Sequence, residues 1–364
     1  MVVQIGSLKL TPDQPVRDAA LPLYGSLAME FCNQWASGQP TFTLKTSGST
    51  GKPKEIIVFR KQMEASARQT IRYLGLGAKD TALVALGANY IAGQMMLVRA
   101  LVANMDCLVV QPSKNPLENI PEHTAATFTA LVPLQLQAII EANVPHQVNQ
   151  LNNMKAILIG GAPMTSWLID ACQALQVPVY ATYGMTETVS HIALRRINGP
   201  DSSAYFTVLP DIAVKQDNRG CLAIKGAVTN DQWIVTNDVV EFHDQHSFRW
   251  LGRADHVINS GGVKVYAELL EGFTSELLAT YHDQPRALLV VPLPHPDYGE
   301  QVVLLFEEEK PAEAVIEQIF SRVERRWNRY WVPRQVRVVP RFRRTTNGKV
   351  LRKQTVALLE REVN

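Results

Sequence analysis

Apolar and polar positions follow two alternating periods from Thr81 onward, and their order predicts an α/β fold. Apolar runs of strand length lie at 82–86, 107–110, 127–132, 156–159 and 177–180, and helix-like stretches lie at 91–102, at 133–141 and from Thr165. Strands that alternate with helices favour crossover units and a largely parallel sheet. Because ligands bind such sheets at the carboxyl ends of the strands, the glycine-bearing turns at 160–163 and 183–188 are candidate site segments.

The pattern changes after Gly199. Short apolar strands separated by turns follow one another at 212–215, 221–225, 233–235, 239–242 and 248–251, which predicts a smaller antiparallel or barrel-like region. A polar junction at 252–255 precedes strands at 287–291 and 302–306 and further helices. The predicted fold class is α/β: a large N-terminal domain (1–254) with a mostly parallel sheet and a small barrel-like β region, and a smaller α+β C-terminal domain (255–364).

Composition is that of a folded enzyme-sized chain. The 364 residues are 46% hydrophobic and 19% charged, with a formal net charge of +2. This length suffices for two domains whose cores need no disulfides, and the near-neutral charge gives no indication of a nucleic-acid partner. Basic residues near the C-terminus alternate with aromatic ones, which is typical of a solvated face, with anion binding as the alternative; they are Arg322, Arg325, Arg326, Arg329, Arg341, Arg343 and Arg344.

The cysteines and the apolar runs indicate a cellular compartment. Cys32, Cys107, Cys172 and Cys221 lie far apart without paired spacing, which predicts reduced thiols and argues against a zinc site. No apolar run approaches the length of a membrane span, and the N-terminus lacks a basic-then-apolar signal. We therefore expect a cytoplasmic protein without a membrane partner.

One short segment, 44–54, combines hydroxyls, glycines and lysines in the way that polyphosphate binding requires. Glycines let backbone amides approach phosphate oxygens, and Ser, Thr and Lys add donors and positive charge. A Walker loop has four residues between its first glycine and the Gly-Lys pair, then Ser or Thr, whereas two residues separate Gly48 from Gly51 here, and Pro53 follows Lys52. The P-loop NTPase class is thereby excluded. The candidate phosphate-binding residues are Thr46, Ser47, Gly48, Ser49, Thr50, Gly51, Lys52 and Lys54.

The run 46–54, Thr-Ser-Gly-Ser-Thr-Gly-Lys-Pro-Lys, resembles the phosphate-binding loop of the adenylate-forming superfamily, which includes acyl-CoA synthetases, peptide-synthetase adenylation domains and luciferases. The run 183–188 is similar to a second signature of that superfamily. The resemblance implies that Tyr183 lies near adenine, Thr186 near the α-phosphate and Glu187 near Mg²⁺, with Gly184 as a further nucleotide-binding residue. One carboxylate with phosphate oxygens suits Mg²⁺, although a helix N-cap would use the same residue types. The adenine-side loop of the family is matched by Gly160, Gly161 and Ala162.

Two further matches continue the resemblance toward the end of the predicted N-terminal domain. Asp238 stands where the family binds the ribose hydroxyls, and Arg253 where it makes a second ribose contact. Asp255 stands at the family's hinge. The resemblance therefore implies that the C-terminal domain is mobile.

The C-terminal domain matches two other family segments. Gly261 and Gly262 belong to a run similar to the loop that lines the thiol tunnel, and 344–352 is similar to the catalytic-lysine motif, with Lys349 as the lysine. A positioned ammonium stabilises the negative charge that forms when a carboxylate attacks the α-phosphate. The resemblance implies a two-step reaction with ATP, Mg²⁺ and coenzyme A as co-substrate, in which a carboxylic acid becomes an acyl-adenylate and then a thioester.

The segment after the magnesium motif indicates which acid is used. It carries His191, Arg195 and Arg196, and helical spacing would bring His191 and Arg195 to one face, where they would meet a second substrate carboxylate. The stretch 181–196 resembles that of o-succinylbenzoate-CoA ligases of menaquinone biosynthesis, whose substrate is an aromatic dicarboxylate. The alternative is that these cations pair with acids inside the fold.

Two departures from the family leave alternatives open. Asn89, a candidate acyl-pocket residue, stands where many relatives have a histidine or aromatic gate. Only 45 residues precede the phosphate loop, where full-length relatives have a subdomain; this suggests a trimmed or compact form, whose exposed side a homo-oligomer would cover. A ligase for another aryl or dicarboxylic acid, a carrier-protein-loading enzyme and a non-catalytic nucleotide-binding relative remain alternatives.

Overall fold

The computed structural model describes residues 1–14, 21–45, 55–118, 120–122, 124–281, 286–344 and 350–361. The predicted phosphate-loop residues 46–54 and Lys349 lie outside these ranges, so their roles stay predictions.

The helices are α1 (Leu23–Ala36), α2 (Arg60–Leu74), α3 (Ile91–Ala103), α4 (Pro133–Ala142), α5 (Pro145–Asn152), α6 (Ser166–Ala171), α7 (Ala267–Ala279), α8 (Glu313–Arg326) and α9 (Arg352–Arg361). The strands are β1 (Val3–Ile5), β2 (Leu8–Leu10), β3 (Thr41–Lys45), β4 (Glu55–Phe59), β5 (Thr81–Val84), β6 (Asp106–Val109), β7 (Phe128–Leu131), β8 (Ala156–Ile159), β9 (Val179–Gly184), β10 (His191–Arg196), β11 (Phe206–Val208), β12 (Ile212–Gln216), β13 (Cys221–Gly226), β14 (Ile234–Asp244), β15 (Ser247–Arg253), β16 (Val257–Ser260), β17 (Val263–Tyr266), β18 (Leu288–His295), β19 (Gly299–Glu307) and β20 (Gln335–Val339).

A 13-stranded sheet dominates the first 253 residues, with strand order β12-β13-β14-β15-β11-β10-β9-β8-β7-β5-β6-β1-β2. The pairs from β1 through β6, β5, β7 and β8 to β9 are parallel, as the alternating pattern predicts. The pairs from β9 to β12 are antiparallel. The predicted antiparallel region therefore exists, and its strands continue the parallel part as one sheet.

The centre of this sheet is covered on both faces, which explains its continuous apolar strands. All four residues of β8 are buried. Ala156 and Leu158 pack in a core with α2 and α3 residues, whereas Ile157 and Ile159 pack in a second core with α4 and α6 residues. This three-layer arrangement confirms the α/β fold class and brings the carboxyl ends of β5, β7, β8 and β9 to one edge.

A separate sheet follows the first, with order β17-β16-β19-β18 and β20 paired with β19. One face of it packs with residues of α7 and α8, and the other with Phe342 and Leu359. The change of sheet falls in the turn Ala254–His256, between β15 and β16. The predicted domain boundary at 254/255 coincides with this turn, and the division into two domains stays a prediction.

Two sequence-based elements need correction. The predicted strands at 233–235 and 239–242 are one continuous strand, β14, whose pairing with β15 shifts register between Val239 and Val240. The helical spacing assumed for 191–195 is wrong, because this segment is strand β10, paired with β9 and β11. Within the described residues, no helix is both long enough and apolar enough to cross a bilayer.

Candidate active site

Strand β9 ends in the predicted adenine and magnesium motif. Gly184 is the last residue of β9, and a Cβ there would lie 2.3 Å from the carbonyl oxygen of Ser190. Only glycine permits this close approach of two backbone segments. The turn Thr186–Thr188 follows, with the side chain of Thr186 half-buried and that of Glu187 exposed.

Thr188 holds this turn in place. Its side chain is buried, and its hydroxyl accepts from the N–H of Met185 (3.1 Å) and lies 2.8 Å from the carbonyl oxygen of Ser190. Val189 then has φ +66° and ψ −49° although it is β-branched and buried. Such a conformation is strained, and strain of this kind concentrates at functional sites. Thr188 is therefore structural, which leaves Thr186 and Glu187 as the residues available to a ligand.

Three residues that were predicted to contact the nucleoside lie close together: Tyr183, Asp238 and Arg253. The Tyr183 hydroxyl donates to Asp238 Oδ2 at 2.7 Å, and Arg253 Nη1 lies 3.7 Å from Asp238 Oδ1, because these two residues are paired across β14 and β15. Burial, reinforced by the charge of Asp238, raises the pKa of Tyr183, so the phenol remains a donor. A carboxylate held between a hydroxyl and a guanidinium has lone pairs left for further donors, as binding of ribose hydroxyls requires.

The predicted adenine-side loop directly follows β8. Gly160 and Gly161 lie at its start, and Gly161 has φ +87°. A Cβ at Gly160 would lie 2.5 Å from Oγ1 of Thr182 on β9. The two glycines therefore let this loop pass close to the strand that carries Tyr183, and Ala162 follows them at an exposed position.

The predicted hinge residue lies between the two sheets, and the predicted thiol-side glycines lie in a turn of the second sheet. Asp255 is in the turn Ala254–His256, where its Oδ1 accepts from Asn237 Nδ2 (2.6 Å) and lies 3.3 Å from Arg253 Nε. Gly261 (φ +57°) and Gly262 (φ +82°) join β16 to β17. The structure thus places these residues in turns, and their roles stay predictions.

His191 does not supply the charge expected of it. Its Nε2 lies 2.9 Å from Oγ1 of Thr70, and its Nδ1 lies 3.5 Å from Nη2 of Arg99. Burial and the nearby Arg99 charge hold the pKa of His191 well below its usual range, so the ring is neutral at pH 7. In the described part of the chain, the guanidinium of Arg195 lies instead over the ring of Phe206, at 5.5 Å, without contact to His191.

Arg99 is the cation that sequence reasoning missed. This α3 side chain is 2% exposed, and its Nη2 donates to Oγ of Ser190 at 2.9 Å. Burial lowers the pKa of Arg99 to about 10, which leaves it charged at pH 7. Among the described residues no carboxylate pairs with it, and its Nε has no hydrogen-bond partner. The signal was available, because Arg99 is the one charged residue of the apolar helix α3.

The alternative that these cations pair with acids inside the fold is not observed among the described residues either. Neither His191 nor Arg195 makes an ion pair there, and Arg196 donates to the carbonyl oxygen of Asn198 at 2.6 Å. Asn89 is exposed in the turn between β5 and α3. The structure thus brings the buried cation Arg99 beside Ser190 and His191, which follow Glu187 by three and four positions.

The donor set fits a magnesium ion brought in with phosphates. Among the described residues, no group of three or more His, Cys, Asp or Glu side chains is arranged as a metal site. Mg²⁺ in nucleotide sites commonly takes one or two carboxylates, with phosphate oxygens and waters as the remaining ligands. The exposed carboxylate of Glu187 is suited to that contribution.

Comparison with known proteins places this arrangement in a family. A family model described as AMP-binding enzyme matches residues 10–221. The chain is 24% identical to a 2-succinylbenzoate–CoA ligase of Listeria monocytogenes, over 87% of this chain and 70% of that protein. It is 27% identical to the 2-succinylbenzoate–CoA ligase of Bacillus cytotoxicus, over 86% and 69%.

Solved structures agree with the fold. A crystal structure of an acyl-CoA synthetase (AMP-forming)/AMP-acid ligase II-like protein from Dyadobacter fermentans is 39% identical, covers 96% of this chain and 97% of its own, and superposes with a TM-score of 0.64. An o-succinylbenzoate coenzyme A synthetase from Bacillus subtilis, in complex with ATP and magnesium ion, is 22% identical over 86% of this chain and 69% of its own, with a TM-score of 0.70. The family model and the Dyadobacter relative confirm the family expected from the sequence motifs: the chain belongs to the AMP-binding enzymes.

Proposed function

We propose that this protein is an ATP-dependent acid–CoA ligase that converts o-succinylbenzoate into an acyl-adenylate and then into its CoA thioester. ATP, Mg²⁺ and coenzyme A are its co-substrates. Membership of the AMP-binding enzymes supports the reaction class, and the relatives named 2-succinylbenzoate–CoA ligase support the acid. The four buried free cysteines are compatible with a reducing compartment, which we take to be the cytoplasm.

The observation that carries the choice of acid is the buried guanidinium of Arg99. Burying a charge without a counter-ion is unfavourable, and a charge-assisted hydrogen bond to a carboxylate would offset that penalty. A dicarboxylic acid has a second carboxylate that remains free while the first is activated. Ser190 accepts from Arg99, so its hydroxyl proton can be donated to that carboxylate, whereas the two ring nitrogens of neutral His191 already face Thr70 and Arg99. Another aryl or dicarboxylic acid would satisfy the same cation and is the alternative substrate.

The remaining residues have roles in the same reaction. Tyr183, Asp238 and Arg253 bind the nucleoside, and Glu187 contributes the protein ligand of Mg²⁺. Bound magnesium would neutralise phosphate charge during attack on the α-phosphate. Residues 46–54 hold the phosphates that leave as pyrophosphate, and Lys349 stabilises charge at the α-phosphate; both assignments are sequence-based.

The test is pyrophosphate release with a panel of mono- and dicarboxylic acids, with and without coenzyme A. Arg99→Met should lower kcat/KM for o-succinylbenzoate by about 10²-fold, because removal of one partner of a buried charge pair costs ~2–5 kcal/mol. It should leave a monocarboxylic acid such as benzoate nearly unaffected. Arg99→Lys keeps the charge and should retain more activity.

Controls separate the alternatives. Arg72→Met removes an exposed arginine that pairs with Asp211 and should change neither substrate. Equal losses for mono- and dicarboxylic acids in Arg99→Met would contradict the second-carboxylate argument. Adenylation without thioester formation would favour a carrier protein as thiol donor. No release with any acid would favour the non-catalytic relative.

A further inference from the structure

Arg352 anchors the start of α9, three positions after Lys349, through a network of buried ion pairs. Its Nη1 lies 2.8 Å from Glu271 Oε1, and its Nη2 donates to Glu271 Oε2 at 2.8 Å. Its Nη1 also donates to the carbonyl oxygen of Val290 at 2.7 Å. Each side chain of this pair is only 15% exposed. A bidentate pair fixes orientation as well as distance, so the start of α9 is held against α7 and β18.

Glu268, one turn earlier on α7, extends this network to the predicted hinge. Its Oε1 lies 3.9 Å from Arg352 Nη2 and also contacts Nδ1 of His256, the residue after Asp255. Its Oε2 accepts from the backbone N–H of Arg253 at 3.3 Å. Arg253 is the last residue of β15 in the large sheet, whereas α7 packs on the small one. One carboxylate therefore contacts residues on both sides of the predicted hinge.

We propose that Arg352 is a positioning residue for the adenylation step: through Glu271 and Glu268, it fixes the start of α9 relative to the hinge beside Arg253. The inference rests on the proposed function, because it needs Lys349 to act in adenylation. The segment 345–349 is joined to Arg352 through Val350 and Leu351, and the N–H of Leu351 donates to the carbonyl oxygen of Arg343 at 2.6 Å. Lys349 thus lies only three positions before the anchored Arg352 along the chain.

A purely structural role for Arg352 predicts a different outcome. The Gly261–Gly262 turn belongs to the same small sheet, so loosening of that sheet would impair thioester formation as well as adenylation. A positioning role impairs adenylation alone. The decisive measurement is therefore the two half-reactions taken separately: pyrophosphate release without coenzyme A, and thioester formation from pre-formed acyl-adenylate.

Arg352→Gln should lower the adenylation rate by roughly 10²-fold, the effect expected of a small misplacement of a reacting group. Thioester formation should stay within about threefold of wild type, a change too small to indicate a lost contact. Arg352→Lys should restore part of the adenylation rate, because it keeps the charge but not the bidentate geometry. The matched control is Arg286→Gln, which breaks the ion pair with Glu309 just outside the ends of β18 and β19 and should change neither half-reaction.

The double variant Arg352→Gln/Glu271→Gln guards against loss of folding. It removes both charges of the bidentate pair together, so neither member is left as an unpaired buried charge, and Glu268 keeps its contact with His256. The double variant should be folded yet still slow in adenylation. Parallel losses in both half-reactions, or normal adenylation in the folded double variant, would overturn the inference. Lys349→Ala distinguishes failure of the proposed function from failure of this inference. If Lys349→Ala adenylates normally, the role given to the lysine in the proposed function is wrong. If Lys349→Ala is inactive while the double variant is active, only the role given to Arg352 is wrong.

Discussion

Arg99 shows how a single residue can be unfavourable for stability and useful for binding. Its guanidinium is buried in α3 with Ser190, the sulfur of Met96 and Nδ1 of His191 as its hydrogen-bond acceptors. None of these groups carries a negative charge, and Nε has no partner in the described part of the chain. Proteins retain such unfavourable groups where function requires them.

The Arg99→Met variant should therefore be more stable than wild type while losing activity toward dicarboxylic acids. Replacing a buried charge by an apolar side chain of similar length removes the desolvation penalty, a gain on the order of 1–4 kcal/mol. Thermal and urea unfolding of the ligand-free protein measure it. A lower melting temperature would mean that the bond to Ser190 outweighs the penalty, and Arg99 would then be a structural residue.

The two edges of the parallel strands differ in their side-chain chemistry. The carboxyl ends carry the glycine turns and the tyrosine, threonine and glutamate of the candidate site. The amino ends are joined by Asp80, which accepts from the N–H of Gly77 (2.8 Å), from Thr127 Oγ1 (3.0 Å) and from Lys155 Nζ (2.8 Å). Asp80 is 3% exposed and directly precedes β5, and its partners Thr127 and Lys155 directly precede β7 and β8. This edge contributes stability.

Asp80→Asn should lower the free energy of unfolding at pH 7 by about 1–3 kcal/mol, the cost of leaving a buried network incompletely satisfied. Burial alone would raise the pKa of Asp80, but bonds from Lys155, Gly77 and Thr127 lower it. A lowered native pKa contributes stability above the unfolded-state pKa of about 3.9 and loses it as pH falls through the native value. The difference between wild type and variant should thus be constant from pH 5 to 7 and shrink below it; a pH-independent difference in urea unfolding would contradict the role of the charge.

The local pattern of apolar positions predicted those elements in which its period fits only a strand or only a helix. Strand β8 is found where its apolar run predicts it, and α4 within one residue, because burial on fixed faces determines both. The same reasoning placed 191–195 on a helix, since residues four apart share a face in helices and in regular strands alike. What decides between them is pairing with β9 and β11. The contact between Thr70 and His191 joins residues 121 positions apart, which no local pattern reveals.

At the scale of the whole molecule, two sheets with separate cores are joined by a short turn. A small apolar cluster also connects them: Cys221, Val239 and Leu251 of the large sheet contact Val257, Tyr266 and Leu269. Helix α7 also lies against α6 and β15, so a change in the relative orientation of the two sheets would have to break these contacts. The proposed two-step reaction would use such a change, because one small domain could then present a lysine for adenylation and a glycine turn for thiol entry.

If the boundary at 254/255 separates true domains, residues 255–364 produced alone should fold. They contain β16–β20, α7–α9 and the two cores of the small sheet, and their length is typical of an independent domain. We expect cooperative thermal unfolding and well-dispersed amide resonances, at reduced stability because the cluster with Leu251 is lost. A matched fragment, 267–364, lacks β16 and β17 and with them the core residues Ile258 and Val265, so it should remain unfolded. Non-cooperative melting of the longer fragment would mean that the small sheet needs the large one, and the boundary would then mark a change of sheet only.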